Sequence, residues 1–210
     1  MNPHLVTEQF ESGLASYTGA KYAIALDNCS NALFLCLKYL YKEPVDITIP
    51  SHTYMSVPCS IINAGCKVKF KESSPSLTGA YQLEPSPVWD SALRLTRGMY
   101  KKGQYMCLSF SGPKKILKLG KGGAILTDNP KAAAWFKQAR YNGRNSVNHL
   151  MDSFTMIGWN FYMANDVAAR GLVLLLGLED KIKDVTQEYQ DLSQYKIYKQ
   201  TVMDTDDRWR

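Results

Sequence analysis

Short, almost wholly apolar runs alternate with helical stretches along the first two thirds of this 210-residue chain, and no other feature limits its fold as much. Residues 22–26 (YAIAL) are one such run, with no polar face, as a strand covered on both sides requires. A polar turn, Asp27-Asn28-Cys29-Ser30, follows it, and then a stretch with Leu33, Cys36, Leu37 and Leu40 on one side. The unit recurs. Ile47-Thr48-Ile49 reads as a strand stopped by Pro50, residues 54–64 as a helix ended at Gly65, and Val68 to Phe70 as a strand. Further strands are expected at Val88-Trp89-Asp90, at 105–110 and at 122–127. A helix then starts at Asp128-Asn129-Pro130, with proline near its first turn. Ahead of the first strand, Phe10, Leu14 and Tyr17 mark one face of a helix over 7–17. The pattern predicts an α/β fold with a mostly parallel, doubly wound sheet in residues 1–165. From Val167 the pattern is helical nearly to the end, giving a C-terminal helical segment over 166–203. Residues 204–210 (DTDDRWR) form a polar, flexible tail.

Composition narrows the class. Hydrophobic residues at 45% and charged residues at 21% exclude a disordered chain and supply a self-sufficient core. No run approaches the ~18 apolar residues of a membrane span, and the start lacks the basic-then-apolar order of a signal peptide. A cytoplasmic protein is expected. Five cysteines without a C-x-x-C pair, and only three histidines, argue against a zinc site and for buried thiols in a reducing compartment. No metal site is expected. The net charge of +6 suits an anionic partner: a nucleotide, a phosphate or a nucleic acid, none of which it selects. A solvated basic surface accounts for it equally well.

Ligands of open α/β sheets bind outside the carboxyl ends of the strands. The sequence places Asn28-Cys29-Ser30-Asn31 there at the start of a helix, where a hydroxyl and free N–H groups suit a phosphate. It also places Tyr54 in a polar loop, Asp90 at a strand end, Ser109 at another, and Lys114 and Lys115 in the loop beyond. Each has an ordinary explanation. Ser30 and Asp90 could be helix caps, Tyr54 a core or surface ring, and Lys114, Lys115, Lys118 and Lys121 a solvated loop. One cofactor uses all of them together. Pyridoxal 5'-phosphate needs a Schiff-base lysine, an acid at its ring nitrogen, a ring to stack on, and hydroxyls with a helix end for its phosphate.

In their order, these motifs resemble those of the DegT/StrS nucleotide-sugar aminotransferases, which are fold-type-I pyridoxal phosphate enzymes. The resemblance runs from about Glu8 to about Tyr195. Residues 28–33 (NCSNAL) are similar to the family's phosphate-binding SGTAAL segment, with Ser30 at its hydroxyl position and Cys29 and Asn31 beside it. Residues 50–61 (PSHTYMSVPCSI) resemble its PSxTF segment, which makes Tyr54 the stacking aromatic. Residues 87–100 look like the segment whose aspartate holds the ring nitrogen, here Asp90. Residues 109–123 (SFSGPKKILKLGKGG) match the family's lysine loop without a gap, which implies Lys114 as the Schiff-base and acid–base residue and Ser109 as a phosphate contact. A loop one residue shorter would select Lys115. Gly158-Trp159-Asn160-Phe161 resembles the family's GYNY, whose asparagine reaches the neighbouring subunit's phosphate.

The departures lie on the substrate side. Leu93 stands where the family has Gln or His, Tyr162 where it has Arg, and Lys121 where it has an acid. Relatives are close to twice this length, so the chain is expected to lack their N-terminal arm and small C-terminal domain. The resemblance implies transfer of an amino group from an amino acid, glutamate by family habit, to a keto-sugar nucleotide or similar carbonyl compound. It also implies a homodimer with shared active sites, buried in part through Leu172, Leu174, Leu175 and Leu176. A different pyridoxal phosphate reaction (decarboxylation, elimination or side-chain exchange) and a non-catalytic binding descendant stay open as alternatives.

Overall fold

The computed structural model describes residues 4–112, 116–145 and 148–198. Among these residues eight strands and five α-helices follow in the order α1 (Leu5–Thr18), β1 (Tyr22–Leu26), α2 (Cys29–Leu40), β2 (Asp46–Pro50), α3 (Ser56–Asn63), β3 (Lys67–Lys71), β4 (Ser76–Leu83), β5 (Val88–Leu93), β6 (Tyr105–Ser109), β7 (Gly123–Thr127), α4 (Pro130–Ala139), α5 (Asn165–Leu176) and β8 (Thr186–Glu188). The main sheet has the order β1-β7-β6-β5-β4-β8, and β2 and β3 form a second, two-stranded sheet.

Alternation of side chains across the main sheet builds two cores, one on each face. Ile24, Leu26, Cys107 and Ile125 meet Leu33 and Leu37 of α2, Ile61 of α3 and Phe136 of α4. Their sequence neighbours Ala23, Ala25, Met106, Leu108, Ala124 and Leu126 meet Phe10 and Leu14 of α1 and Leu175 of α5. Helices on both faces explain why these strands carry no polar stripe. On the α1 side the helices pack closely enough that a Cβ at Gly171 would meet the Phe10 ring at 2.8 Å, so glycine here serves packing.

Three expectations change. The sheet is mixed rather than mostly parallel: only β5·β6 and β2·β3 run parallel, while β1·β7, β6·β7, β4·β5 and β4·β8 are antiparallel. The reason lies in the connections. Among the described residues no helix separates β4 from β5 or β6 from β7, so a return without a crossover reverses direction. Second, α5 stops at Leu176 instead of continuing. Residues beyond it run back to the sheet, where β8 pairs with β4 at its edge. Third, Leu175 is buried and Leu172 partly buried against α1, leaving Val173, Leu174 and Leu176 as the exposed apolar side chains of α5. The tail over 204–210 lies outside the described residues. Among them, no helix is long and apolar enough to cross a membrane.

Candidate active site

A cavity of about 480 Å³ opens where β1, β5 and β6 deliver their loops and α2 begins. That size lies within the ~300–1,000 Å³ usual for cofactor and small-molecule sites. Cys29, Ser30, Tyr54, Asp90 and Ser109 all border it, so five of the residues singled out in the sequence converge from four separate stretches of chain.

The α2 end of the cavity is built for an anion. Asn28 is the cap, its side chain accepting from the Asn31 backbone N–H at 2.7 Å. Ser30 is therefore not the cap, and its hydroxyl donates to Ser56 Oγ at 2.6 Å, across to the start of α3. The positive end of the α2 backbone and two hydroxyls thus lie together. Gly123 holds the wall close: a Cβ there would meet the Asn28–Cys29 peptide at 2.5 Å, which β7 could reach only with glycine. Asn31 turns the other way. Its side-chain amide donates to Asp27 at 2.8 Å, and it does not border the cavity. Burial holds the Asp27 carboxyl above its ordinary range, against the opposing pull of Asn31 and Lys121.

The cavity also has an acidic wall. Asp90 is 6% exposed and lies inside β5, which runs on to Leu93. No helix follows it, so a capping role is ruled out. Its Oδ1 accepts from the Ala92 N–H at 2.9 Å and its Oδ2 from the Tyr81 hydroxyl at 3.1 Å. Tyr81 Oη also lies 2.6 Å from Thr53 Oγ1. Burial, reinforced by the Asp90 charge, pushes the Tyr81 hydroxyl far above the ordinary tyrosine range, so it stays a proton donor.

Tyr54 is half exposed over the mouth, its ring edge-on to Tyr189 with centroids 6.3 Å apart. Tyr189 and Gln187 come from the returning C-terminal segment, and burial, then the Asp90 charge, raises the Tyr189 hydroxyl as well. Leu93, 3% exposed, adds an apolar wall. Thr53, Ser56, Tyr81, Gln187 and Tyr189 escaped the sequence reading. A tyrosine two residues beyond Gly79, followed by a turn at Glu84-Pro85 and a strand, was a hairpin signal for Tyr81, whereas nothing local marked Tyr189.

Lys114 and Lys115 lie outside the described residues. Ser111 and Gly112, which precede them, border the cavity, and Lys118 and Lys121 farther along are exposed to solvent. Asn160 does not border the cavity of its own chain. It is exposed, in a bridge to Tyr141. Among the described residues no three His, Cys, Asp or Glu side chains gather as metal ligands. A buried carboxylate, an anion cradle and a half-exposed aromatic around one cavity fit a flat, charged ring bearing a phosphate.

Comparison with known proteins points the same way. The DegT/DnrJ/EryC1/StrS aminotransferase family matches residues 5–87 and 97–206, leaving the strand that bears Asp90 between the two stretches. GDP-perosamine synthase of Caulobacter vibrioides is 26% identical over 214 aligned residues, covering 83% of this chain and 57% of that protein. This chain thus spans little more than half of its relative's length. Among solved structures, AtS13 from Actinomadura melliaura superposes with a TM-score of 0.71 at 18% identity, over 82% of this chain and 60% of that one. A PLP-dependent aminotransferase from Bacillus cereus gives a TM-score of 0.67 at 19% identity, over 82% and 58%. At such identities the structural likeness concerns the fold.

Proposed function

The chain belongs to the DegT/DnrJ/EryC1/StrS aminotransferase family, and from that premise we propose that it binds pyridoxal 5'-phosphate in the cavity beside Asp90 and moves an amino group from an amino acid to a carbonyl compound. Glutamate is the donor by family habit and a keto-sugar nucleotide the acceptor, as the name of the Caulobacter relative suggests. The observation that carries the reading is a buried Asp90 carboxylate lining the same cavity as the start of α2 with Ser30.

The bound cofactor would supply an electron sink for a carbanion formed next to the amino group. The residues of this chain do the rest. Asp90 holds a proton at the ring nitrogen, and the two opposite charges stabilise each other away from water. Ser30, Ser109 and the N–H groups at the start of α2 bind the phosphate, with Cys29 in the wall. Tyr54 covers one face of the ring. Lys114 Nζ carries the cofactor and moves the proton at the substrate carbon as acid and base. Asn160, exposed and away from its own cavity, serves the partner's phosphate in a homodimer.

Leu93 favours a second reading. An apolar, buried side chain beside the ring removes a polar contact and suits a different reaction of the same cofactor. One titration separates the readings. Protein that turns yellow with pyridoxal phosphate and loses the colour with L-glutamate supports transamination. Yellow protein indifferent to glutamate supports the second reading, and protein that takes up no cofactor overturns both.

A further inference from the structure

Tyr81 and Asp90 are cross-strand partners. In the antiparallel β4·β5 pair, Tyr81 lies directly opposite Asp90, so both side chains project from the same face of the sheet. The register shifts between Gly79 and Tyr81. Such an irregularity selects which residue meets the acid, because a slip of one residue would turn the ring to the other face.

The polarity of the contacts is fixed by chemistry. A carboxylate only accepts, so the one tyrosine proton goes to Asp90 Oδ2 at 3.1 Å. The 2.6 Å contact between Thr53 and Tyr81 must then be donated by Thr53. A hydroxyl that accepts one hydrogen bond becomes a better donor in the next. Asp90 thus sits at the end of a relay, with the Ala92 N–H on its other oxygen. Two donors fix the plane of the carboxylate, and hydrogen bonds donated to a charged form favour that form.

We propose that Tyr81 is a positioning residue for Asp90: polarised by Thr53, it orients the carboxylate and keeps the shared proton on the cofactor's ring nitrogen rather than on Asp90. This rests on the reading of the cavity as a pyridoxal phosphate site. It adds a residue from β4, a strand in which the motifs that identify the cofactor site have no member.

Packing alone would make the ring of Tyr81 important and its hydroxyl dispensable, and Tyr81→Phe separates the two. Parent, Tyr81→Phe, Thr53→Val, Asp90→Asn and the Tyr81→Phe/Asp90→Asn double variant are loaded with pyridoxal phosphate labelled with ¹⁵N in the ring. The expected parent signal is that of a protonated ring nitrogen. In Tyr81→Phe it moves part of the way toward the unprotonated position, and in Thr53→Val it moves less. The half-reaction with L-glutamate slows by roughly tenfold in Tyr81→Phe, the scale of one hydrogen bond to a charged group. No further loss occurs in the Asp90→Asn background, since Tyr81 acts through Asp90. An unchanged ring-nitrogen signal in Tyr81→Phe, or losses that add in the double variant, overturns the proposal. Should Tyr81→Phe fail to fold, Thr53→Val decides alone, and an unchanged signal there overturns it equally. A parent that takes up no cofactor removes the underlying reading; a parent that loads normally beside a silent Tyr81→Phe removes only this inference.

Discussion

The guanidinium of Arg94 grips the carboxylate of Asp184 with two nitrogens, Nε at 2.9 Å from Oδ1 and Nη2 at 2.5 Å from Oδ2. Arg94 directly follows β5, and Asp184 directly precedes the stretch that ends in β8 and Tyr189. The Val185 N–H donates to the Leu93 carbonyl at 2.9 Å alongside. The pair therefore fastens the returning segment to the strand that carries Asp90. Paired forks of this kind outlast ordinary surface ion pairs because the geometry is set at both ends. Arg94→Ala is expected to cost about 1 kcal/mol of stability, at the upper end for a partly exposed pair. Its sharper signature is local. Amide exchange at residues 185–189 should accelerate while that of β6 and β7 stays slow. Equal acceleration across the sheet would show that the pair holds the whole fold rather than this segment.

Lys114 rather than Lys115 is expected to carry the cofactor. The lysine loop matches the family pattern without a gap, with Ser109 before it and the glycines after it in register. Borohydride reduction of the loaded protein followed by peptide mapping should leave the pyridoxyl group on Lys114. A label on Lys115 would shift the register by one residue and leave the cofactor assignment standing.

What was legible in the sequence follows the strength of its signals. β1, β6 and β7 are unbroken apolar runs, and α2 starts at a polar turn, so the residues they position, Ser30 and Ser109, were found by locating strand ends. Asp90 was found for the right strand but at the wrong place in it, because the apolar-to-polar change from Trp89 to Asp90-Ser91 looks like an ending when it is mid-strand. β4 (SLTGAYQL) mixes glycine and polar residues with its apolar ones, and β8 is three polar or charged residues at a sheet edge. Edge strands like these are specified by their partners, not by their own composition. That is why Tyr189 could not be read in advance, and Tyr81 only through the turn that follows it. The helical reading of 177–198 failed for a related reason. Its residues have fair helix propensity, and the Arg94–Asp184 pair and the β4 edge override it.

Stability should fall in alkaline solution through ionisation of partly buried tyrosines. Burial, with the Asp128 carboxylate beside it, pushes Tyr100 up to about 12. Tyr81 and Tyr189 are raised in the same direction by burial and the Asp90 charge. An unfolded tyrosine releases its proton near ~10. Between about pH 10 and 12 the folded form therefore binds more protons than the unfolded form, and stability decreases as pH rises. Below that window these groups contribute no slope. Urea midpoints measured from pH 8 to 12 should be flat with respect to the tyrosines at first and then drop. Tyr100→Phe should drop less steeply; an identical slope would show that Tyr100 ionises as freely in the folded state.

Glu11 and Arg140 join α1 to the end of α4 beneath β1. Glu11 Oε1 accepts from Arg140 and from the Ala25 N–H, the latter at 2.8 Å, and the side chains are 5% and 11% exposed. Arg140 also donates to the Ala25 carbonyl. Removing Arg140 leaves the buried Glu11 charge with the half-exposed Lys137, 3.8 Å from its other oxygen, a weaker partner, so Arg140→Met is expected to cost about 3 kcal/mol. Replacing both by apolar residues removes the buried charge. Glu11→Leu/Arg140→Met should recover much of that loss, and a double variant as unstable as the single one would show that the bonds to the Ala25 backbone, not the charges, matter here.

The last prediction concerns assembly. Val173 and Leu176 of α5 are 68% and 83% exposed, and Asn160 lies at the surface away from its own cavity. Apolar side chains presented together on one helix mark an interface, and two-fold pairing is the commonest way to cover it. Sedimentation at micromolar concentration should give a dimer, and Leu176→Glu should weaken it. The stronger test asks whose site Asn160 serves. Lys114→Ala and Asn160→Ala proteins, each impaired alone, are unfolded together and refolded. If Asn160 completes the partner's site, a mixed dimer has one site with an intact lysine from one chain and an intact asparagine from the other. Half of randomly paired dimers are mixed and each has one good site, so the mixture should regain about one quarter of the parent activity. If each chain uses its own Asn160, every site in the mixture stays damaged and mixing restores nothing. A parent that sediments as a monomer while binding pyridoxal phosphate would end the shared-site reading before the mixing begins.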